Sequence, residues 1–154
     1  MNFFLKNIPE RTQQPRTYGL TMAMDKGMGL DDVRNFMSVA SPFVDIVKFG
    51  FGTAFVTNNL REKIDIYREN NMPVYFGGTL FEAFVIRDQF DDYLKVIKDY
   101  DLKYVEVSDG SITIPHEQKC EYISELAKHV TVLSEVGSKD AAQIIPPYKW
   151  IELM

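Results

Sequence analysis

The stretch KYVEVSDGSITI, from Lys103 to Ile114, decides how the rest of the chain is interpreted. It begins with a short run of aromatic and β-branched residues that a polar turn ends, a pattern typical of a buried β-strand. Glu106 lies inside this run. Because a charged carboxylate without a partner costs several kcal/mol inside a protein, Glu106 must be paired, protonated or bound to a metal. Together with Asp109, just past the predicted strand end, it indicates a functional site.

The pattern of an apolar run, a polar or glycine-containing turn and a helical repeat occurs five times along the chain. The other predicted strands are residues 18–24, 43–49, 73–76 and 130–136, and helical spacing follows at 30–40, 60–67, 80–86 with 90–97, and 115–128. Regular alternation of strands and helices predicts a parallel sheet covered by helices. Right-handed crossovers then leave two main architectures, an open doubly wound sheet or a (β/α)8 barrel.

The strand ends favour the barrel. Every unit places polar, charged or glycine residues where its strand ends, whereas an open sheet concentrates them at one switch point. We therefore predict an α/β fold of the (β/α)8 TIM-barrel family with about five βα units, since the whole barrel usually needs about 250 residues. We expect one partial-barrel domain over residues 1–154, with 1–16 as an N-terminal extension. The predicted last helix, after Pro146 and Pro147, stops after barely two turns, so we expect the chain to be cut in mid-helix.

Composition excludes several classes of protein. The 154 residues are 45% hydrophobic and 25% charged, as in an ordinary globular domain. The net charge is −5 and the lysines and arginines are scattered, which argues against a nucleic-acid footprint. A single cysteine excludes an intrachain disulfide framework. No apolar run is long enough for a signal peptide or a membrane span, so we expect a cytoplasmic protein that does not bind membranes.

Five short strings then point to a family. They are DKG from Asp25, VKFGFGT from Val47, YFGGTLFE from Tyr75, VEVSDGSI from Val105 and LSEVGSK from Leu133. In their order and spacing, over nearly the whole chain, they resemble the phosphosulfolactate synthase family. The resemblance implies a (β/α)8-barrel enzyme that adds sulfite to phosphoenolpyruvate with Mg²⁺, giving (2R)-3-phosphosulfolactate in the first step of coenzyme M biosynthesis. It also implies a family chain about 100 residues longer, in line with the size of a whole barrel.

The implied reaction joins two anions and creates an aci-carboxylate, so it calls for a divalent cation, cationic side chains and a proton donor. Mg²⁺ takes hard oxygen ligands, and one or two carboxylates suffice because it keeps several waters. The candidates for holding it are Glu106, Asp109 and Glu135, with Asp25 next.

Three lysines match the cationic roles that the resemblance implies. Lys26 and Lys48 would hold phosphate, carboxylate or sulfite, and Lys139 matches a family lysine that resembles the general acid delivering a proton to the substrate carbon. Backbone N–H groups near helix N-termini would cradle the anions. The expected substrate-binding residues are Gly50, Gly52, Thr53, Gly77, Gly78, Thr79 and Ser108.

Each of these assignments has a structural alternative. Glu106 paired with Lys48 or Lys26 would be an ion pair inside the barrel, and Asp109 before a glycine is by itself more often a turn residue. The glycines would then serve only loop geometry, and the threonines would be helix caps. As a whole, the chain would be an inactive fragment that associates through exposed strand edges, or a related Mg²⁺-dependent enzyme acting on another anion. We expect a homo-oligomer.

Overall fold

The five predicted strands and their helices are present. The computed structural model describes residues 3–137 and 147–153. Its strands are β1 (Met22–Asp25), β2 (Ile46–Phe49), β3 (Val74–Phe76), β4 (Tyr104–Val107) and β5 (Thr131–Ser134). Its helices are α1 (Leu30–Ala40), α2 (Thr53–Val56), α3 (Leu60–Glu69), α4 (Gly78–Val85), α5 (Phe90–Asp99), α6 (His116–Ala127) and α7 (Pro147–Leu153).

The strands are parallel and follow one another in chain order. β2 pairs with β1 and β3, and β4 pairs with β5. A doubly wound sheet would reverse its strand order at a switch point, and these strands show no reversal. The expectation of an α/β fold with five βα units in barrel order is confirmed.

Alternate residues of each strand face opposite sides of the sheet, as the pleat requires. On one side, Val47, Phe49 and Phe76 are buried in the apolar core that the helices cover. Lys48 and Glu106 lie on the other side, which is the concave interior of the barrel. The pattern explains why β2 looks continuously apolar except for one lysine, since only its interior face carries polar groups.

The sheet curves around that interior. Lys48 on β2 reaches Glu135, which directly follows β5, with 3.3 Å between Nζ and Oε1. Parallel strands lie about 4.8 Å apart, so three strand spacings separate β2 from β5 along the sheet. A contact between these two side chains therefore shows that the strands from β2 to β5 curve around the interior, as in part of a barrel.

Sequence and structure differ at the first strand. It was predicted over residues 18–24, but β1 begins at Met22, and Tyr18 and Leu20 are 70% and 58% exposed. Thr21 is bound by the loop before β2 instead, because its N–H donates to Asp45 Oδ2 and its carbonyl accepts from Asp45 N–H. The short helix α2, which follows a glycine-rich turn, was not predicted.

The N-terminal extension is tied to the same loop. Residues 3–16 contain no helix or strand. Arg16 forms an ion pair with Asp45 at 2.7 Å, with both side chains less than a tenth exposed, and it donates to the Pro42 carbonyl. No helix in the described part of the chain is long and apolar enough to cross a membrane.

Candidate active site

Lys48 and Glu106 form the centre of the candidate site. Both project into the barrel interior from neighbouring parts of the curved sheet, and their charged atoms lie 2.6 Å apart. Their side chains are only 11% and 6% exposed. Lys48 also contacts Glu135, whose side chain is 41% exposed. One largely buried cation is thus shared by two carboxylates, and the outer of these carboxylates faces solvent.

Further groups hold the Glu106 carboxylate in place. The Tyr75 hydroxyl donates to Oε2 at 3.2 Å, and the Gly78 N–H donates to Oε1 at 2.7 Å. These contacts connect β3 and the start of α4 to β4, two strands that no backbone ladder joins in the described residues. Burial, and then the nearby Glu106 charge, raise the pKa of Tyr75 above its ordinary value, so the hydroxyl remains a neutral donor.

Two consecutive glycines permit this close approach. A Cβ at Gly78 would lie 2.4 Å from Ser108 Cβ and 3.1 Å from Glu106 Oε1, and one at Gly77 would lie 2.8 Å from Lys48 Cε. Their N–H groups already have acceptors in the protein, since Gly77 donates to the Phe49 carbonyl and Gly78 to Glu106. In this structure both glycines therefore act by letting backbone pack against the central side chains.

Asp109 lies beside this centre with a partner of its own. Its Oδ1 accepts from Lys119 Nζ on α6 at 2.8 Å, and the same Nζ donates to the Glu135 carbonyl at 2.7 Å. Asp109 and Lys119 are almost fully buried. Lys119 thus joins the end of β4 to the end of β5 and so fixes the backbone that carries Glu135.

Asp25 does not join the other predicted carboxylates. It is fully buried on the side of the sheet that faces the helices, where Lys63 Nζ lies 2.8 Å from Oδ2 and the Tyr67 hydroxyl donates at 3.0 Å. Burial, and then the Asp25 charge, raise the pKa of Tyr67 above its ordinary value. The register places Asp25 beside Phe49 and not beside Lys48, which explains the separation.

The glycine-rich turn after β2 lies near Lys26. Lys26 is exposed, and its Nζ is 5.6 Å from the centre of the Phe51 ring. Phe51 and Gly52 both have positive φ, and the Thr53 hydroxyl donates to the Gly50 carbonyl at 2.8 Å. Thr53 thus closes the turn, as a structural threonine would. Thr79 is half-buried in the first turn of α4.

Sequence reasoning missed Glu82. It is 2% exposed on α4, its Oε1 accepts from the Ser108 hydroxyl and more weakly, at 3.4 Å, from the Ser111 N–H, and its Oε2 has no hydrogen-bond partner among the described residues. Glu82 therefore holds the turn that follows β4. The sequence did carry a signal for Glu82, because this residue ends the YFGGTLFE string and lies on the buried face of an apolar helix.

The structure thus brings Lys48, Glu106 and Glu135 together, with Ser108 and Asp109 on the same strand end, and it separates Asp25 from them. Lys139, the predicted general acid, lies outside the described residues.

These side chains offer oxygen ligands but no ready-made metal site. Within residues 3–137 and 147–153, no group of three or more histidine, cysteine, aspartate or glutamate side chains could hold a metal ion. The carboxylates of Glu106, Asp109 and Glu135 are engaged by lysines. Such hard oxygen donors suit Mg²⁺, which is often held by one or two carboxylates together with waters and substrate phosphates. The donor chemistry fits Mg²⁺ bound together with an anionic substrate.

The chemical capacity of the site follows from its charges. Lys48 is a cation in a poorly solvated interior, where it attracts an anion more strongly than it would in water. Glu135 is its more exposed partner, so an incoming anion can compete with Glu135 while Glu106 keeps Lys48 in place. The arrangement suits the binding of a small anion at the carboxyl ends of the strands, where barrel enzymes place their active sites.

Comparison with known proteins identifies the family. The model of the family "(2R)-phospho-3-sulfolactate synthase (ComA)" matches residues 9–154. The phosphosulfolactate synthase of Bacillus subtilis (strain 168) is 37% identical over 141 residues, which are 92% of this chain and 56% of that protein. That of Methanothermobacter thermautotrophicus is 40% identical over 144 residues, 91% of this chain and 55% of that protein. That of Methanocaldococcus jannaschii is 37% identical over 124 residues, 79% of this chain and 49% of that protein.

The chain spans about half the length of the curated relatives it matches. The resemblance that the five strings indicated is confirmed by matches that cover almost all of the chain. With its five βα units in barrel order, the chain belongs to the phosphosulfolactate synthase family.

Proposed function

We propose that this chain contributes to a phosphosulfolactate synthase reaction, the Mg²⁺-dependent addition of sulfite to phosphoenolpyruvate that gives (2R)-phospho-3-sulfolactate, with sulfur on C3 and the phosphate on the C2 oxygen. The observation that supports it most is the Lys48–Glu106–Glu135 cluster at the carboxyl ends of the strands. The names of the relatives support the same reaction. We also propose a cytoplasmic location and, in organisms that make coenzyme M, a role in its biosynthesis.

The reaction forms two bonds to carbon, C3–S and C2–H, at the expense of the C2–C3 π bond, and it breaks no bond to phosphate. The sulfur lone pair of sulfite attacks C3 of phosphoenolpyruvate, and the electrons of the C2–C3 double bond move toward the carboxylate. The resulting aci-carboxylate then takes a proton at C2. Lys139 is the proposed donor of that proton, and the phosphate ester remains intact.

The lysines would neutralise the charge that this addition gathers. Largely buried Lys48 would bind the substrate carboxylate or sulfite in the interior, and exposed Lys26 would bind phosphate at the rim. Backbone N–H groups of the turn at Gly50, Gly52 and Thr53 would assist at the phosphate, and the Ser108 hydroxyl would do so on the β4 side. Each of these contacts would accelerate the reaction only if it becomes stronger as negative charge moves onto the carboxylate in the transition state.

Mg²⁺ would supply positive charge to the developing aci-carboxylate. Glu135 is the most accessible of the proposed ligands, with Glu106 and Asp109 deeper. Each of the three would exchange or share its lysine partner when the metal and substrate bind. This predicts that metal and substrate bind together more tightly than either does alone.

Phosphorus NMR tests the reaction. The protein is mixed with phosphoenolpyruvate, sulfite and Mg²⁺, and the mixture is measured again with excess chelator. A new phosphoester signal that requires sulfite and disappears with chelator is the expected result. Lys48→Met should abolish it, whereas the control Lys103→Met, which removes an exposed lysine paired with Asp101, should retain it.

The same assay is run on a version of the chain that spans the full length of the relatives. If that version is folded and gives no sulfite-dependent signal, the proposed reaction is wrong. A signal that forms without sulfite but with another added anion would point to the related Mg²⁺-dependent enzyme instead.

A second proposal is that copies of this chain associate. Met22 and Met24 on β1 and Leu133 on β5 expose apolar side chains, and these two strands each have a partner on one side only in the described residues. Unpaired strand edges next to exposed apolar side chains favour pairing with another chain. An active enzyme could associate through these edges as a homo-oligomer. In the alternative, the chain is an inactive fragment that associates through the same edges.

A further inference from the structure

The turn that carries Lys26 is held from outside the candidate site. Asp25 precedes it at the end of β1, and one oxygen of the Asp25 carboxylate accepts hydrogen bonds from the N–H groups of Gly27, at 2.8 Å, and Met28, at 2.9 Å. Gly27 has a φ of 111°, a conformation that glycine adopts without strain. Such a carboxylate-bound turn has a defined shape, so the orientation of Asp25 determines the course of the backbone at Lys26.

The helix α3 fixes the other oxygen of the same carboxylate. Lys63 Nζ lies 2.8 Å from Oδ2, and the Tyr67 hydroxyl donates to that atom at 3.0 Å. Lys63 is 1% exposed and Tyr67 is fully buried. Lys63 Nζ also lies 5.2 Å from the centre of the Phe49 ring, on the helix-facing side of β2. The cluster therefore joins α3, β1 and β2 at a buried point on the helix-facing side of the sheet.

A buried polar cluster of this kind is costly to maintain for stability alone. An ion pair buried between helix and sheet is often no more stabilising than apolar side chains of the same volume. The Asp25 carboxylate accepts two hydrogen bonds from the turn that carries the exposed Lys26. The Lys26 ammonium in turn lies 5.6 Å from the Phe51 ring of the neighbouring turn. The contacts thus run from α3, through Asp25, to the two turns at the rim of the barrel.

From these contacts we propose that Lys63 and Tyr67 are positioning residues for Lys26. They hold Asp25, and Asp25 holds the turn in the shape that keeps the Lys26 ammonium at the rim. The role of Lys26 in binding an anion rests on the proposed function, whereas the shape of the turn does not. The proposal assigns Asp25 to this cluster and not to a metal.

The test compares two tyrosine variants in the whole chain. Tyr67→Phe removes the hydroxyl that donates to Asp25. Tyr93→Phe removes an equally buried hydroxyl that has no hydrogen-bond partner among the described residues, so it is the matched control. Hydrogen exchange of the Gly27 and Met28 amides is followed by NMR. A hydrogen bond to a charged group is worth enough that we expect Tyr67→Phe to speed both exchanges about tenfold or more, and Tyr93→Phe to leave them unchanged.

A second readout concerns Lys26 itself. Its rate of acylation, followed by mass spectrometry with and without phosphoenolpyruvate, reports whether the ligand covers its ammonium. We expect the ligand to protect Lys26 in the wild type and in Tyr93→Phe, and to protect it several-fold less in Tyr67→Phe. In a version of the chain that is active, Tyr67→Phe should raise KM for phosphoenolpyruvate more than it lowers kcat.

The outcomes separate the two proposals. If exchange at Gly27 and Met28 is the same in Tyr67→Phe as in Tyr93→Phe, α3 does not position the turn and the inference is wrong. If the turn loosens but ligand protection of Lys26 and KM match the wild type, the positioning has no role in binding. A wild type in which phosphoenolpyruvate never protects Lys26 would count against the proposed function, while the exchange rates would still decide the shape of the turn. Lys63→Met, which keeps most of the aliphatic stem, repeats the comparison from the other partner.

Discussion

The ion pair between Lys48 and Glu106 has a structural role and is also the centre of the proposed binding site. Both charges are largely out of water, and the cost of removing them from water is offset only because each has several partners. Glu106 has a lysine, a tyrosine hydroxyl and a backbone N–H, and Lys48 has two carboxylates. The ion pair expected as the structural alternative exists, and it also prepares a cation for an anionic ligand.

We predict that Glu106→Gln destabilises the fold strongly. The substitution keeps the shape of the side chain but leaves Lys48 largely buried with only the more exposed Glu135 as its carboxylate, so the free energy of unfolding should fall by about 3 kcal/mol. Glu135→Gln is the control, since its side chain is 41% exposed and its pair with Lys48 should be worth less than about 1 kcal/mol. Urea unfolding measures both. Equal losses in the two variants would contradict this account of the centre.

A methyl group at Gly78 should also be costly. Its Cβ would lie 2.4 Å from Ser108 Cβ, so either α4 or the turn after β4 must shift, and we expect Gly78→Ala to lower the free energy of unfolding by about 1–3 kcal/mol. At Gly29 the nearest atom to an added Cβ is Asp32 Oδ2 at 3.5 Å, and φ is ordinary there. Gly29→Ala should therefore cost less than about 1 kcal/mol. A Gly78→Ala protein as stable as Gly29→Ala would show that the close approach is not needed.

At the scale of helices and strands, the sequence predicted the strand ends well and the polar groups on the helices poorly. Lys48, Glu106 and Ser108 were predicted because each interrupts or ends an apolar strand. Lys63 and Lys119 were missed because a lysine on an amphipathic helix ordinarily points to solvent. Their helical positions did carry a signal.

That signal is the helical repeat itself. Lys63 is one turn before Tyr67, and Lys119 is four residues before Ile123 and seven before Leu126, so both lysines lie on apolar stripes. A charged residue on such a stripe predicts a buried partner, but the sequence does not say which one. The partners Asp25 and Asp109 come from strand ends, Asp109 only ten residues before Lys119 but Asp25 from an earlier βα unit, and only the packing of α3 and α6 on the sheet brings each pair together.

The loop before β2 should make stability depend on pH. Burial raises the pKa of Asp45, but hydrogen bonds from the Thr21 N–H and from Arg16 together outweigh it, so the pKa lies below its ordinary value of 3.8. A group with a lowered folded-state pKa stabilises the fold above the pKa of the unfolded chain, and this contribution is lost as pH falls through the folded pKa. Wild type should therefore exceed Asp45→Asn in stability near neutral pH, and the gap should close below about pH 4.

Urea unfolding at a series of pH values measures this gap. Asp31→Asn is the control, because the Asp31 side chain is 92% exposed and its ion pair with Arg34 lies at the surface. That variant should remain close to wild type throughout the series. A gap between wild type and Asp45→Asn that stays constant from neutral to acidic pH would show that the carboxylate charge is not what ties the N-terminal segment to the sheet.

For the whole molecule, the barrel interior divides into two regions. Near its centre, polar side chains bind one another, as at Lys48 and Glu106. Toward β1 and β5, the same face exposes Met22 and Leu133, 43% and 36% exposed, and here apolar groups meet water. The register sets Leu133 beside Glu106 and Met22 beside Ile46, so these exposed groups continue the interior face and are not part of the helical surface. The association proposed above would bring a second copy against them.

We predict that the chain associates with itself as its concentration rises, and that the interior face is responsible. Replacing Met22 and Leu133 together by lysine places charge on both edges of this face, which should shift the chain toward monomer by at least about tenfold in the dissociation constant. Val39→Lys is the matched control, because Val39 is 74% exposed but lies on α1, on the outer surface. Sedimentation velocity over a wide range of concentrations measures all three proteins. A wild type that stays monomeric throughout would show that the interior face does not drive association. So would a Val39→Lys protein that dissociates as readily as the double variant, since burial of exposed apolar area in general would then explain the result.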